Sequence, residues 1–197
     1  MSDNMIRTVL LSLIALFLLS GCVHDISIAP DTTELKKNRP VTIHRSIAYY
    51  IPPERYEKSV TTPGGNNDTL RYTPYQDLEE GFRKVLDNVF IDVYKIDSLD
   101  DPKIKEKKIR FIFIPEIETM SYSKSIIDWE PTRFTIILKV DVLSDKKRKL
   151  FKTYAQGKGI ANFGRYKDNP TYAVEIATRS ALLQFQDEII TKRKRFK

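Results

Sequence analysis

The chain is poor in the residues that most often carry chemistry. Its 197 residues hold one cysteine, Cys22, two histidines, His24 and His44, and one tryptophan, Trp129. A single cysteine excludes an intrachain disulfide, even in an exported protein that could use one. Neither histidine has a second ligand at metal spacing such as His-x-x-x-His, which argues against a metal site. No Gly-x-Ser-x-Gly elbow is present to present an activated serine. Gly64-Gly65 is followed by neither a Lys-Ser/Thr pair nor a helix start, so a phosphate-cradling loop is discounted. A membrane-spanning run is missing too. The uncharged apolar stretch over residues 8–20 has 13 residues, whereas a spanning helix needs about 20.

That stretch is defined by its flanks. Arg7 precedes it and Leu19-Ser20-Gly21-Cys22 closes it. A positive residue, a short apolar core and a small-residue cleavage site describe a secretory signal peptide. Met5 is an alternative start that would give a simpler cationic leader. The closing tetrad resembles the lipobox of bacterial lipoproteins, whose pattern is Leu, a small residue, Gly or Ala, then Cys. The resemblance implies diacylglyceryl transfer to the Cys22 sulfur, cleavage between Gly21 and Cys22, and acylation of the new amino terminus. These covalent chains are the only prosthetic groups expected. Acylation would also consume the one thiol, leaving neither a free cysteine nor a cysteine nucleophile. Val23 follows the cysteine where the family's inner-membrane signal is Asp, which implies the outer membrane, facing the periplasm.

The remaining 176 residues suit one domain with a real core. The hydrophobic fraction of the whole chain, 41%, lies in the globular range. The net charge of +7 survives cleavage, because Asp3 and Arg7 leave together. It reads either as a surface for anionic envelope neighbours, such as lipid headgroups, lipopolysaccharide phosphates or an acidic protein, or as a solvated Lys-rich surface with no dedicated partner. Nucleic acid is excluded by compartment. Residues 22–40 lack periodicity, contain Pro30 and Pro40, and read as a lipidated tether able to reach roughly 60 Å when extended. Residues 41–51 alternate as a strand ended by Pro52-Pro53. A short hairpin is expected to pair residues 56–60 with 69–72. Thr73-Pro74 with Gln76 predicts a helix opened by a capping box, with Leu78, Phe82, Val85, Leu86 and Val89 on one stripe. Strands follow over residues 91–96 and 109–122, with Pro115 at a bulge or edge. Residues 133–143 and 149–162 form a long hairpin, and Asn169-Pro170 opens an Ala-lined helix. The last seven residues, Thr191 to Lys197, hold five basic ones and read as a tail over 192–197, either a headgroup contact or a frayed end.

This order predicts an α+β fold: a two-layer sandwich of a mainly antiparallel sheet with two helices on one face, built from residues 41–191. The Thr73-opened helix, the hairpin around Phe134 and Tyr154, and the Asn169-opened helix are similar to YajG-type outer-membrane lipoproteins. That resemblance implies a periplasm-facing module with no established enzymatic chemistry. Glu116 and Glu118 lie two apart on one strand face. They read either as an acid/base pair or as the solvated end of a strand. Ile126, Ile127 and Trp129, on the connection after that strand, read either as a partner-binding loop or as a cap on the sheet. The expectation is a non-enzymatic, lipid-anchored binding or assembly module for an envelope protein or component. The alternatives are a glycan- or lipid-binding module and, more distantly, a carboxylate hydrolase.

Overall fold

The structure, a computed structural model, describes residues 23–36, 42–63, 69–122 and 132–197. Period-two alternation builds its largest layer. On β7 (Thr132–Ser144) Phe134, Ile136, Leu138, Val140 and Val142 are buried, and β8 (Lys149–Ala161) returns antiparallel in matching register. On the other side of β7 lies β6 (Phe111–Tyr122), also antiparallel. The sheet is completed by β2 (Ile43–Tyr49) and β5 (Phe90–Lys95), in the order β5-β2-β6-β7-β8. The fold is α+β, and the three long strands are antiparallel as expected. The β5-β2 and β2-β6 pairs, however, are parallel. The chain leaves β2 and crosses a helix before returning, and such a crossover brings the next strand back in the same direction.

Two helices cover one face. On α2 (Pro74–Asp87; α1, Pro53–Tyr56, is a single turn) the expected stripe is observed, with Leu78, Phe82, Val85 and Leu86 all buried. The capping box is not. Thr73 makes no side-chain cap bond, and Asp77 instead accepts from the Thr73 N–H at 3.3 Å and the Ile28 N–H at 3.3 Å. A carboxylate is the stronger acceptor, and from this position it ties two chain segments together. The long helix α5 (Tyr172–Thr191) begins two residues beyond Asn169-Pro170, where the Asn169 side chain accepts from the Thr171 N–H at 2.9 Å. An extra turn, α4 (Phe163–Asp168), precedes it, capped by Asn162. Helix α5 lies directly on β8. A Cβ added at Gly157 would stand 1.8 Å from the Ala177 carbonyl oxygen, and one at Gly159 1.7 Å from that of Ala173. Only glycine admits this contact.

Pro115 does sit at an edge. Strand β2 pairs with β6 only as far as Phe113, and beyond that point side chains satisfy the open edge of β6. Arg55 donates to the Pro115 carbonyl at 3.1 Å, and the Ile117 N–H donates to the Tyr75 hydroxyl at 3.0 Å. Tyr72, from the small antiparallel hairpin β3 (Val60–Pro63) and β4 (Thr69–Tyr72), donates to Thr119 at 2.7 Å.

Two readings of the chain ends are corrected. Residues 23–36, taken as part of the tether, lie on the domain. Strand β1 (Val23–Asp25) pairs parallel with β4, so the small sheet runs β1-β4-β3. Ile28 and Leu35 are fully buried in the main core, and Asn88 and Gln186 donate to the Leu35 and Lys36 carbonyls at 2.8 and 3.2 Å. Arg71 binds Asp25 at 2.6 Å, and Arg179 pairs with Glu34. The segment behaves as a strap: single apolar residues fill core slots, and the domain supplies its backbone partners. The basic tail is likewise no frayed end. Residues 193–196 form a 3-10 turn that inserts Phe196 among Phe90, Phe111, Phe113 and Phe151, at ring-centroid distances of 5.1–5.9 Å.

Candidate functional site

Cys22, the acyl acceptor expected from the sequence, lies one residue before β1. Cys22 and Gly21 lie outside the described residues, as do Ile126, Ile127 and Trp129. The elements that flank both segments are nevertheless brought to one end of the molecule. Val23 stands opposite Thr69, and Thr69 opposite Pro63. The Pro63 carbonyl accepts a hydrogen bond from Ser121, next to the last residue of β6. With adjacent strands about 4.8 Å apart, two spacings separate Val23 from the strand that touches the end of β6. Tyr122 ends β6 and Thr132 begins β7, so the Trp129 connection leaves and re-enters at this same end.

No described residue covers the sheet face away from α2 and α5 at this end. Its rows follow from register: Glu116–Lys139–Tyr154, Glu118–Ile137–Gln156, Met120–Thr135–Lys158 and Tyr122–Arg133–Ile160. At the opposite end the same face carries a small second core, in which Leu99 and Ile104, on and before the turn α3 (Lys103–Glu106), pack over Ala48, Ile112 and Leu143. At the Val23 end Met120, Tyr122 and Ile160 are more than half exposed. Sequence alone assigns these three no role: Met120 and Tyr122 share the face of Glu118, and Ile160 joins them only through the register of β6, β7 and β8.

The carboxylate pair is disarmed by its neighbours. Glu116 binds Lys152 at 3.1 Å, and Glu118 pairs with Lys139. The hydrogen bond from Lys152 holds the Glu116 carboxyl below its ordinary value, and the bond that Lys139 donates to Glu118 raises the Lys139 ammonium. A general acid needs the reverse, a carboxyl pushed upward. Among the described residues no three His, Cys, Asp or Glu side chains come together as metal ligands. His24 lies on β1 and His44 on β2.

Among the described residues, the gap inside the helix–sheet layer is small and the larger spaces are open grooves at the surface. The apolar gap between α2 and the sheet, lined by Ile51, Tyr75, Phe82, Pro115, Leu138 and Leu182, measures about 10 Å³, hardly enough for one water. A groove of about 690 Å³ separates the strap from α5. Its polar groups are already engaged: Arg179 by Glu34, Asp31 by the Thr33 N–H at 2.8 Å, and Glu175 by the Thr171 hydroxyl at 2.7 Å. The half-buried polar cluster elsewhere is structural. Tyr49 and Lys95 donate to Glu79 at 2.8 and 2.9 Å, joining β2, α2 and β5. Burial pushes the Glu79 carboxyl up, but these bonds outweigh it and hold the group below its ordinary value. Burial first, and then Glu79, raise the Tyr49 phenol.

No protein-family model matches the sequence, and no curated protein matches it. Solved structures with a similar arrangement include a Xanthomonas campestris protein of the family model DUF330, at TM-score 0.48 and 13% identity over 88% of this chain and 98% of that one. A Helicobacter pylori homolog of a neuraminyllactose-binding hemagglutinin aligns at TM-score 0.46 and 9% identity, over 81% and 96% of the two chains. Rare lipoprotein B of Shewanella oneidensis aligns at TM-score 0.33 and 11% identity, over 75% and 94%. At these scores the likenesses assign neither family nor function. Among the described residues no helix is long and apolar enough to cross a membrane.

Proposed function

We propose that the chain is a non-enzymatic lipoprotein of the bacterial envelope. Acyl chains on Cys22 hold it in the outer membrane, and its α+β domain binds a protein or other component on the periplasmic side. The observation that carries this reading is the junction at Val23. The residue immediately after the lipobox cysteine is already in register with Thr69, so a chain cleaved between Gly21 and Cys22 would keep every described element. Three acyl chains would make such attachment stable, where one alone holds a protein marginally.

Two observations support binding over catalysis. The Glu116 and Glu118 pair on one strand face is neutralised by Lys152 and Lys139. The helix layer leaves only about 10 Å³ against the sheet, which disfavours the alternative of a lipid or glycan held inside the fold. Ile126, Ile127 and Trp129, on the connection at the Val23 end, remain the candidate partner loop. Cys22→Ala tests the anchor: the variant is expected to stay unprocessed, with its signal peptide retained and no acyl chains. An acyl-free but correctly cleaved variant that still fractionates with the outer membrane would contradict it. Crosslinking of the acylated protein in its own envelope tests the binding role. The reading predicts one stoichiometric partner, lost in Trp129→Ala at unchanged stability. An unaltered crosslinking pattern with lost stability would assign Trp129 to capping the sheet.

A further inference from the structure

We infer that the end of the open sheet face formed by Met120, Tyr122, Arg133, Lys158 and Ile160 rests in the headgroup region of an anionic bilayer leaflet. This rests on the lipid-anchor reading above and goes beyond it by fixing how the domain meets the membrane.

Three observations lead there. The first is where the undescribed chain ends. Acyl chains on Cys22 enter the bilayer one residue before β1, and β1 is bound into the domain through Thr69 and Arg71. No free linker remains to hold the fold away from the surface, and the end of the molecule next to Val23 must face the leaflet. The second is apolar exposure at that end. Val23, Met120, Tyr122 and Ile160 are 52%, 53%, 55% and 56% exposed, and they make up four of the six large hydrophobic residues so exposed among the described residues. A tyrosine and aliphatic side chains beside cations suit a bilayer interface, where the apolar body sinks and the polar tip stays hydrated.

The third is charge. Farther along the same face, each lysine has a carboxylate partner: Lys139 with Glu118, Lys149 with Asp141 and Lys152 with Glu116. In the two rows nearest Val23, Met120–Thr135–Lys158 and Tyr122–Arg133–Ile160, the register places no acidic residue at all. Among the described residues neither Arg133 nor Lys158 has an ion-pair partner. The lysines in the middle of the face are thus paired, whereas the two rows nearest Val23 carry Arg133 and Lys158 with no carboxylate in register. A lipid phosphate supplies the missing anion, and each basic residue near such a surface contributes about a fivefold gain in affinity.

Tyr154 supplies an internal reference. It lies on the same face, two rows beyond Met120, and is 48% exposed against 55% for Tyr122. Hydroxyl-radical footprinting of the mature protein, purified from membranes and placed on excess phosphatidylglycerol vesicles, then reads contact as the ratio of Tyr122 to Tyr154 oxidation. Contact predicts a ratio severalfold below one, with Met120 protected in parallel. The Arg133→Gln/Lys158→Gln double variant should bring the ratio back toward one on phosphatidylglycerol and change little on phosphatidylcholine. A ratio near one for the unsubstituted protein overturns the inference. Intact mass on the same sample separates the two claims. An acylated Cys22 with no protection keeps the anchor and removes the surface contact. Protection with an unmodified Cys22 keeps the contact and removes the anchor, and an unmodified Cys22 without protection removes both.

Discussion

Phe196 and Glu79 show how single residues override the segment in which they sit. Phe196 lies among basic residues whose composition reads as a solvated tail, yet it is fully buried against four other phenylalanines. Phe196→Ala is expected to cost about 3–5 kcal/mol, measured as a shift in urea midpoint. Lys194→Ala, on the exposed side of the same turn, should stay within about 0.5 kcal/mol. Nothing local in the sequence marks Phe196 as core, because one aromatic residue has no period. Glu79 makes a pH prediction. Its folded pKa lies below its unfolded value of about 4.3, so its stabilising contribution is complete above that value and is lost as pH falls through the folded pKa. Denaturation at pH 7 and pH 3 should therefore show a smaller acid loss in Glu79→Gln than in the parent, alongside a lower stability at pH 7. Equal acid losses would mean that Glu79 is not the group responsible.

Elements differ in how openly the sequence declares them. The stripe of α2 and the alternation of β7 were legible because each repeats a local period, and both are found with the expected residues buried. The hairpin β7-β8 was legible because a charged turn of a few residues leaves its strands no other neighbour. The parallel pairs β5-β2 and β2-β6 were not, since pairing between strands far apart in the chain leaves no local trace. The strap escaped for a related reason: Ile28 and Leu35 stand alone in a polar run, and their burial depends on slots made by other elements. Leu35→Ala should cost about 2–5 kcal/mol if the strap is integral to the fold. A negligible change in the denaturation midpoint would return it to the status of a tether. At the helix–sheet contact, Gly159→Val has backbone in its way at 1.7 Å from the first carbon added. Overpacking of this kind costs about 1–3 kcal/mol or more, whereas Lys158→Ala beside it, on the open face, should be near neutral by the same midpoint measurement.

At the scale of the whole molecule, the targeting signal and the fold are parts of one design. On the proposed reading, the lipobox-like tetrad says where the chain is held, and the strap says how closely. The candidate carboxylate pair was legible as a pair, but its lysine partners lie on neighbouring strands and only register reveals them. The membrane-facing end was hidden for the same reason, since Met120, Tyr122 and Ile160 come from two strands separated by β7. An extended 18-residue tether would allow the domain to stand up to roughly 60 Å from the bilayer, whereas a strap docked from Val23 onward allows almost no gap. Neutron reflectometry of the acylated protein on a supported phosphatidylglycerol bilayer distinguishes these directly. The predicted profile has protein density beginning at the headgroups, with no intervening hydrated layer. A solvent-filled gap of tens of ångströms between headgroups and protein would contradict it.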